Sequence, residues 1–97
     1  MITFEWDDNK ATSNLKKHKV SFDEAKTVFY DENGLFIHDP DHSEDEDRFV
    51  LLGLSSNTNL LIVCHCYRNN DDTIRIISAR EANKHEEIQY RNARGTL

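Results

Sequence analysis

The chain has 97 residues, with 37% hydrophobic residues, 31% charged residues and a formal net charge of −6. This length and composition predict one globular domain over residues 1–97 and exclude collagen-like, proline-rich and low-complexity classes. No apolar run approaches the ~18 residues of a membrane span, and residues 1–10 lack the basic and apolar regions of a signal peptide. Cys64 and Cys66 stand one residue apart, which does not suit a disulfide framework, so a cytoplasmic location is expected.

The charges are distributed unevenly along the chain. Six of the 18 acidic residues fall within residues 39–47, and the other 12 balance the 12 lysines and arginines. Residues 10–19 carry four lysines and no acid, and a second basic zone begins at Arg75. Such zones can bind phosphate locally even on a protein that is acidic as a whole.

The N-terminal third of the sequence predicts a strand followed by two helices. Alternating apolar residues predict a first strand over residues 2–6. An aspartate at position 7 or 8 can cap a helix that ends near residue 18. A serine and a glutamate in residues 21–24 form a capping box, which predicts a second helix to about residue 30.

The remaining sequence predicts four meandering strands and a terminal helix. The strands fall at residues 35–37, 49–52, 60–67 and 74–77, with a solvated acidic loop over residues 39–47 and with Gly53 as a bulge or close-approach point. A second capping box at residues 78–81 predicts the start of the terminal helix. This order of elements predicts an α+β fold with one mostly antiparallel sheet, two N-terminal helices and one C-terminal helix.

Three residues of the last two strands are predicted to share an open face of the sheet. Because side chains alternate across a strand, Arg75 points away from the core if the isoleucines on either side of it face the core. The same interpretation places His65 and Tyr67 beside Arg75. An imidazole, a phenol and a guanidinium can cleave RNA without metal, because they supply proton transfer and stabilise the phosphorane. The alternative is an ordinary sheet face with a few polar residues.

Arg80 is a candidate phosphate ligand. It lies in the first turn of the predicted terminal helix, where unpaired backbone amides and a guanidinium can bind an anion together. Alternatively, Arg80 pairs with Glu24 or Glu46 as structural scaffolding.

The first helix supplies further cationic candidates. At its end, Lys17 can position a phosphate and His18 can transfer a proton, or both simply complement the negative end of the helix dipole. The exposed face of the same helix carries Lys10 and Lys16 as predicted substrate-binding residues.

No metal or cofactor is expected. Cys64 and Cys66 share one face of their strand while His65 lies on the other, so the three side chains cannot converge. His38 and His42 flank two aspartates but have no second ligand pair, and a metal-binding protein is therefore the weakest alternative. The sequence also lacks a glycine-rich phosphate loop and a G-x-S-x-G motif.

Short motifs follow one another in order from Ile2 to about Tyr90. They include Phe4-Glu5-Trp6-Asp7, Asn14-Leu15, Lys17-His18, Val20-Ser21-Phe22, Arg48-Phe49, Gly53 and the block Arg75-Ile76-Ile77-Ser78-Ala79-Arg80. In this order the motifs resemble those of BrnT-type toxins of type II toxin–antitoxin systems.

The resemblance implies a RelE-like fold and a ribonuclease that inhibits translation, which the side-chain chemistry suggests is metal-independent. It implies neutralisation by a BrnA-type antitoxin whose ribbon-helix-helix region binds DNA, in a heterotetramer of two toxins and two antitoxins. It also implies that Arg75 and Arg80 contact phosphate and the transition state, with Lys17 and His18 in support and Arg48 binding substrate.

The predicted terminal helix departs from the family, in which this region is usually rich in lysine and arginine. Here the sequence is nearly neutral over residues 80–87, so weaker RNA affinity is expected from that helix. The alternative function is a non-catalytic partner subunit, a degenerate toxin within an antitoxin–DNA repressor complex.

Overall fold

The computed structural model of the protein describes residues 2–38 and 48–95, with only the backbone described at His38, Arg94 and Gly95. Its elements are β1 (Thr3–Glu5), α1 (Asp8–His18), α2 (Phe22–Thr27), a 3₁₀ turn (Val28–Tyr30), β2 (Leu35–His38), β3 (Phe49–Leu54), β4 (Leu60–Arg68), β5 (Thr73–Glu81) and α3 (Lys84–Gly95). Among the helices of these residues, none combines the length and the apolar character that crossing a membrane requires.

The five strands form one mixed sheet in the order β1-β5-β4-β3-β2. The three pairs from β5 to β2 are antiparallel, whereas β1 lies parallel to β5. The predicted α+β class, with two N-terminal helices and one C-terminal helix, is confirmed. The sheet is mixed because most of the chain lies between β1 and β5 in the sequence. A connection of that length allows the two strands to pair in parallel. The RelE-like fold stays a prediction of the resemblance.

Side-chain caps start the two N-terminal helices where the sequence predicts them. The Asp7 carboxylate accepts two amide hydrogens of the first turn of α1, at 2.7 and 3.2 Å. The Ser21 hydroxyl accepts the Glu24 amide hydrogen at 3.0 Å. Glu24 does not complete the predicted box, because its carboxylate accepts hydrogen bonds from Ser55 and Asn59 instead, at 2.7 and 2.8 Å.

The two faces of the sheet are covered unequally. The face under α1 and α2 holds the larger buried cluster: Val20, Phe22, Ala25, Val28, Leu51, Leu61, Val63, Ile76 and Ala79. On the other face, α3 contributes the buried Tyr90, which packs with Leu52 and Ile62. The Tyr90 hydroxyl also donates a hydrogen bond to the Asp31 carboxylate at 2.6 Å. The α3 face is therefore thinly covered compared with the α1–α2 face.

A bulge in β5 changes which of its residues face the core. Cys64 of β4 pairs with Ser78, but the next residue, His65, pairs with Ile76, so β5 carries one extra residue between them. As a result, Ile76 and Ala79 belong to the same core cluster although they stand three residues apart.

The start of the terminal helix differs from the prediction. Residues 78–81 form the end of β5 and pair with β4, so the capping box predicted there is wrong. The reciprocal cap lies five residues later: the Glu86 amide donates to the Asn83 side chain and the Asn83 amide donates to the Glu86 carboxylate, each at 2.9 Å. The ladder with β4 satisfies the backbone of residues 78–81 and so overrides their local capping pattern.

Gly53 provides a close approach between β3 and the 3₁₀ turn. A Cβ atom at this position would lie 2.8 Å from Cγ1 of Val28 and 3.1 Å from Oδ2 of Asp31. The close approach predicted at Gly53 is confirmed, and the reason is the fully buried Val28 side chain above it.

We expect Gly53→Ala to lower the free energy of unfolding by about 1–3 kcal/mol, because the added methyl group overpacks a filled core. Urea denaturation of both proteins measures the difference. Ser56→Ala, on the exposed turn that follows β3, serves as the control and should change stability by less than about 0.5 kcal/mol. A Gly53→Ala variant as stable as the wild type would contradict the packing described here.

Candidate functional site

A groove lies between α1 and the outer edge of β5. Strand β1 ends at Glu5, opposite Arg75, so in the described sheet the later residues of β5 have no strand beside them on that side. The groove has a volume of about 380 Å³, and its lining includes Lys10, Ser13, Lys17, His18, Ile77 and Ser78. We call it the α1–β5 groove. It brings together three of the predicted site residues: Lys10, Lys17 and His18.

Asn14 joins α1 to the edge of β5. This side chain is buried, and its Oδ1 accepts the amide hydrogen of Ala79 at 3.0 Å. Its Nδ2 donates to the carbonyl of Ala79 at 2.8 Å and to that of Val20 at 2.9 Å. The asparagine amide thus takes the place that a neighbouring strand would occupy, and it fixes the groove floor. The sequence analysis did not predict this role of Asn14. The signal was its spacing: Asn14 lies three residues after Ala11, so both lie on the buried side of α1.

The charge of the groove comes from α1. Lys10 and Lys17 are exposed, and His18 is half-buried in the last turn of the helix. The Asp7 carboxylate also lines the groove, but it is engaged as the cap of α1. Two ammonium groups can bind phosphate oxygens, and an imidazole beside them is a group that can transfer a proton.

Arg75 is not part of the groove lining; it lies on the α3 side of the sheet, two residues before the lining residue Ile77. Its NH1 donates to Oε2 of Glu5 at 2.7 Å in a partly exposed pair. That hydrogen bond raises the pKa of Arg75 above its ordinary value, and the charge of the groove residue Asp7 acts in the same direction. The guanidinium is therefore held in place and stays charged.

Arg80 lies on the same side of β5 as Arg75 but not at the start of a helix, so the predicted helix-terminal anion site is wrong. Its NH1 and NH2 each donate to one carboxylate oxygen of Glu86 at 2.8 Å. This pairing raises the pKa of Arg80 and lowers that of Glu86. Of the alternative partners proposed from the sequence, Glu24 binds Ser55 and Asn59 instead, and Glu46 lies outside the described residues.

His65 and Tyr67 do not share a face with Arg75. Both pair with isoleucines of β5 and face the α1–α2 side, whereas Arg75 pairs with Cys66 on the α3 side. The predicted open face with all three groups is therefore wrong. Strand β4 is apolar on both sides, so alternation alone could not determine which set of its side chains faces α1 and α2.

His65 lies at the centre of an aromatic cluster and is completely buried. Its ring centroid lies 4.7–6.2 Å from those of Phe29, Tyr67, Phe36 and Phe49. Its Nδ1 lies 3.1 Å from the Val63 carbonyl, which can only accept, so Nδ1 carries the hydrogen. Within residues 2–38 and 48–95, Nε2 has no hydrogen-bond partner, and burial lowers the pKa of this imidazole. His65 is a neutral core residue in this arrangement.

The other predicted site residues lie away from the α1–β5 groove. Lys16 is exposed on α1 but is not part of the groove lining. Arg48 precedes β3, which is separated from β5 by β4. In the described part of the chain, no three histidine, cysteine or acidic side chains form a group that could hold a metal ion. The acidic loop 39–47 and the His38–His42 motif lie outside the described residues or side chains.

Comparison with known proteins identifies relatives of the sequence and of the fold. Residues 6–86 match the family described as "Ribonuclease toxin, BrnT, of type II toxin-antitoxin system". The fold is similar to the crystal structure of the Brucella abortus ribonuclease toxin BrnT, with a TM-score of 0.65 and 17% sequence identity over 87% of this chain and 100% of that chain. A comparison with curated protein sequences gives no match.

The burial of neutral His65 predicts that stability depends on pH. A histidine whose pKa is lowered in the folded state favours folding at neutral pH, and this contribution is lost as the pH falls below the ordinary value of 6.5. We expect the free energy of unfolding to decrease below that pH, with a limiting slope of about 1.4 kcal/mol per pH unit from this residue. Urea denaturation between about pH 7.5 and pH 5.5 measures the decrease.

Two variants distinguish the contribution of His65 to the pH dependence of stability from that of the other histidines. His65→Gln should show a smaller loss of stability over this pH range, even if it is less stable at neutral pH. His85→Gln, at an exposed position of α3, is the matched control and should behave as the wild type does. The same pH dependence in wild type and His65→Gln would contradict the assignment.

Proposed function

Because the chain belongs to the BrnT family of ribonuclease toxins of type II toxin–antitoxin systems, we propose that it cleaves RNA bound in the α1–β5 groove. The observation that carries this proposal is the groove itself, where Lys10, Lys17 and His18 face the part of β5 that β1 leaves without a neighbouring strand. Cations supply affinity for a phosphate backbone, and the imidazole of His18 is a group suited to proton transfer.

The proposed reaction needs no metal. The 2′-oxygen of the RNA attacks the adjacent phosphorus, and the bond from phosphorus to the 5′-oxygen breaks, leaving a 2′,3′-cyclic phosphate. One proton leaves the 2′-hydroxyl and one reaches the 5′-oxygen, and His18 is the proposed group for one of these transfers. Lys17 and Arg75 stabilise the charge that develops on the phosphate.

Arg75 suits this role better than Arg80. Arginine has five N–H donors, and the described hydrogen bond of Arg75 to Glu5 uses one of them. In Arg80, both terminal nitrogens bind Glu86, and NH1 also donates to the Glu81 carbonyl at 3.2 Å. A phosphate can therefore bind Arg75 without breaking its pair, whereas it would have to compete with Glu86 for Arg80.

A type II toxin family implies an antitoxin partner. We propose that this partner is of the BrnA type, with a ribbon-helix-helix region that carries the DNA contacts of the complex, and that two toxins and two antitoxins assemble together. The toxin itself then contacts RNA and antitoxin only, in the cytoplasm, where its substrate is.

A non-catalytic partner subunit is the second candidate function. The observation that favours it is the pairing of both arginines with carboxylates, Arg75 with Glu5 and Arg80 with Glu86. A chain of this kind would bind the antitoxin but leave RNA intact.

We expect the purified protein to cleave single-stranded RNA in the presence of EDTA and to leave 2′,3′-cyclic ends. His18→Gln and Lys17→Ala should each lower the cleavage rate by roughly 100-fold, because each removes a group that acts on the reacting phosphate. Cleavage of labelled RNA by purified variants measures the rate. Lys26→Ala is the matched control, since Lys26 lies on α2 outside the groove lining and contacts Asp23 at 3.8 Å.

Three outcomes of that experiment would change the assignment. Cleavage that disappears in EDTA and returns with a divalent metal ion would rule out the metal-independent mechanism. Full activity in both groove variants would place the active site elsewhere. Intact RNA with retained antitoxin binding would favour the non-catalytic subunit.

The two arginines should respond differently to substitution. We expect Arg75→Ala to lower the cleavage rate by at least about tenfold with little loss of stability, because it removes a phosphate ligand from a partly exposed pair. Arg80→Ala should instead act mainly on stability, because it leaves Glu86 of α3 without its partner. Cleavage rates and melting temperatures of the two variants measure the difference, and a larger rate loss in Arg80→Ala would contradict the ranking.

A further inference from the structure

A second surface, which shares no residue with the lining of the α1–β5 groove, has the composition of a protein-binding site. Three aromatic side chains of β2, β3 and β4 lie around the buried His65: Phe36, Phe49 and Tyr67. Tyr30 joins them through Phe4, whose ring centroid lies 6.5 Å from that of Tyr30 and 5.4 Å from that of Phe29. We call these four residues the aromatic surface. Tyr30 is 74% exposed and Phe36 is 63% exposed, the two highest values among the large apolar side chains.

The aromatic surface adjoins a free sheet edge. Strand β2 is the last strand of the described sheet, and Phe36 lies in it on the α1–α2 side, opposite Leu51 of the core. On that side, α1 and α2 pack on β5, and the 3₁₀ turn packs on β3. None of the described helices packs mainly on β2, and an edge strand presents unpaired backbone groups to which an extended segment can bind.

The charges around this surface are mostly negative. Glu32 before β2 and Asp71 and Asp72 after β4 are exposed. Burial raises the pKa of Tyr67, and the nearby Asp71 charge raises it further. Arg48, just before β3, and Arg68, at the end of β4, are cations, but residues 39–47 have six acids and no lysine or arginine in their sequence. A ligand of this surface therefore has to tolerate, or prefer, negative surroundings.

Charge decides among the three classes of ligand that an aromatic surface could bind. RNA is a polyanion and would be repelled here, while the lysines that suit it lie at the other edge of the sheet. A second copy of the chain would bring the same acids into a symmetric contact. A protein segment with apolar and basic residues is complementary to this surface, because its apolar residues suit the aromatic side chains and its basic residues suit the negative charges.

We propose that the aromatic surface and the free edge of β2 bind an extended segment of the antitoxin that is rich in apolar and basic residues. This inference rests on the proposed function, which includes an antitoxin partner, and it identifies the surface to which that partner binds. Strands β4 and β3 separate β5 from β2, a distance of roughly 14 Å at ~4.8 Å per strand. Binding at β2 can therefore be measured separately from RNA cleavage in the groove.

Phe36→Ser and Tyr30→Ser test the proposal, because both side chains are exposed and their loss should leave the core intact. We expect each variant to bind the purified cognate antitoxin at least about tenfold more weakly in calorimetric titration, as for aromatic anchors of an interface. Ile88→Ser on α3 removes a similarly exposed apolar side chain elsewhere and should change affinity by less than about twofold. RNA cleavage and melting temperature should stay unchanged in all three variants.

Hydrogen exchange of the wild-type complex provides a measurement that needs no variant. Antitoxin binding should slow amide exchange in β2, and the affinity should fall as salt is added because charge complementarity contributes to it. Undiminished affinity of the Phe36→Ser/Tyr30→Ser double variant, or protection confined to the α1–β5 groove, would overturn the proposal.

Other results would show that the surface binds a second copy of the chain or RNA, and would test the antitoxin site independently of the nuclease activity. A dimer of the chain alone that Phe36→Ser dissociates would assign the surface to a second copy, and weaker RNA binding by that variant would assign it to RNA. Either result overturns the antitoxin site. Failure of the wild type to bind the antitoxin also overturns it, while the RNA assay still decides the nuclease activity independently.

Discussion

The hydrogen bonds between Asn14 and Ala79 hold together the part of the molecule on which the candidate site depends. Beyond Arg75, no strand among residues 2–38 and 48–95 lies on the outer side of β5, and the buried backbone of Ala79 needs partners there. The Asn14 side chain satisfies both the amide and the carbonyl of Ala79 and binds Val20 as well. This contact fixes the distance between α1 and the sheet, and the α1–β5 groove exists because that distance is held without a sixth strand.

The sheet separates the proposed activities of the molecule. One edge carries the groove with Lys10, Lys17 and His18, and the opposite edge is formed by β2, which carries Phe36 of the aromatic surface. Both proposals depend on places where the described sheet lacks coverage, namely the outer side of β5 beyond β1 and the edge strand β2. The two proposals together place RNA and the antitoxin on different surfaces.

Local sequence patterns predicted most of the fold. The caps at Asp7 and Ser21, the close approach at Gly53 and the order of the elements all depend on residues near one another in the chain, and the structure contains each of them. The end of β5 is different. The pattern at residues 78–81 permits a helix start, but pairing with β4 is a long-range interaction, and it outweighs a local preference.

For the candidate site, the sequence by itself determined which chemical groups are available: two basic zones, a histidine at the end of α1, an arginine on the last predicted strand and another shortly after it. It did not determine which of them meet. Only the tertiary structure decided that His65 is buried, that Arg80 pairs with Glu86, and that α1 lies against the edge of β5. The physical reason is that β4 is apolar on both sides and β5 contains a bulge. The face of each side chain therefore follows from strand pairing and from packing on both sides of the sheet, which alternation within one strand cannot specify.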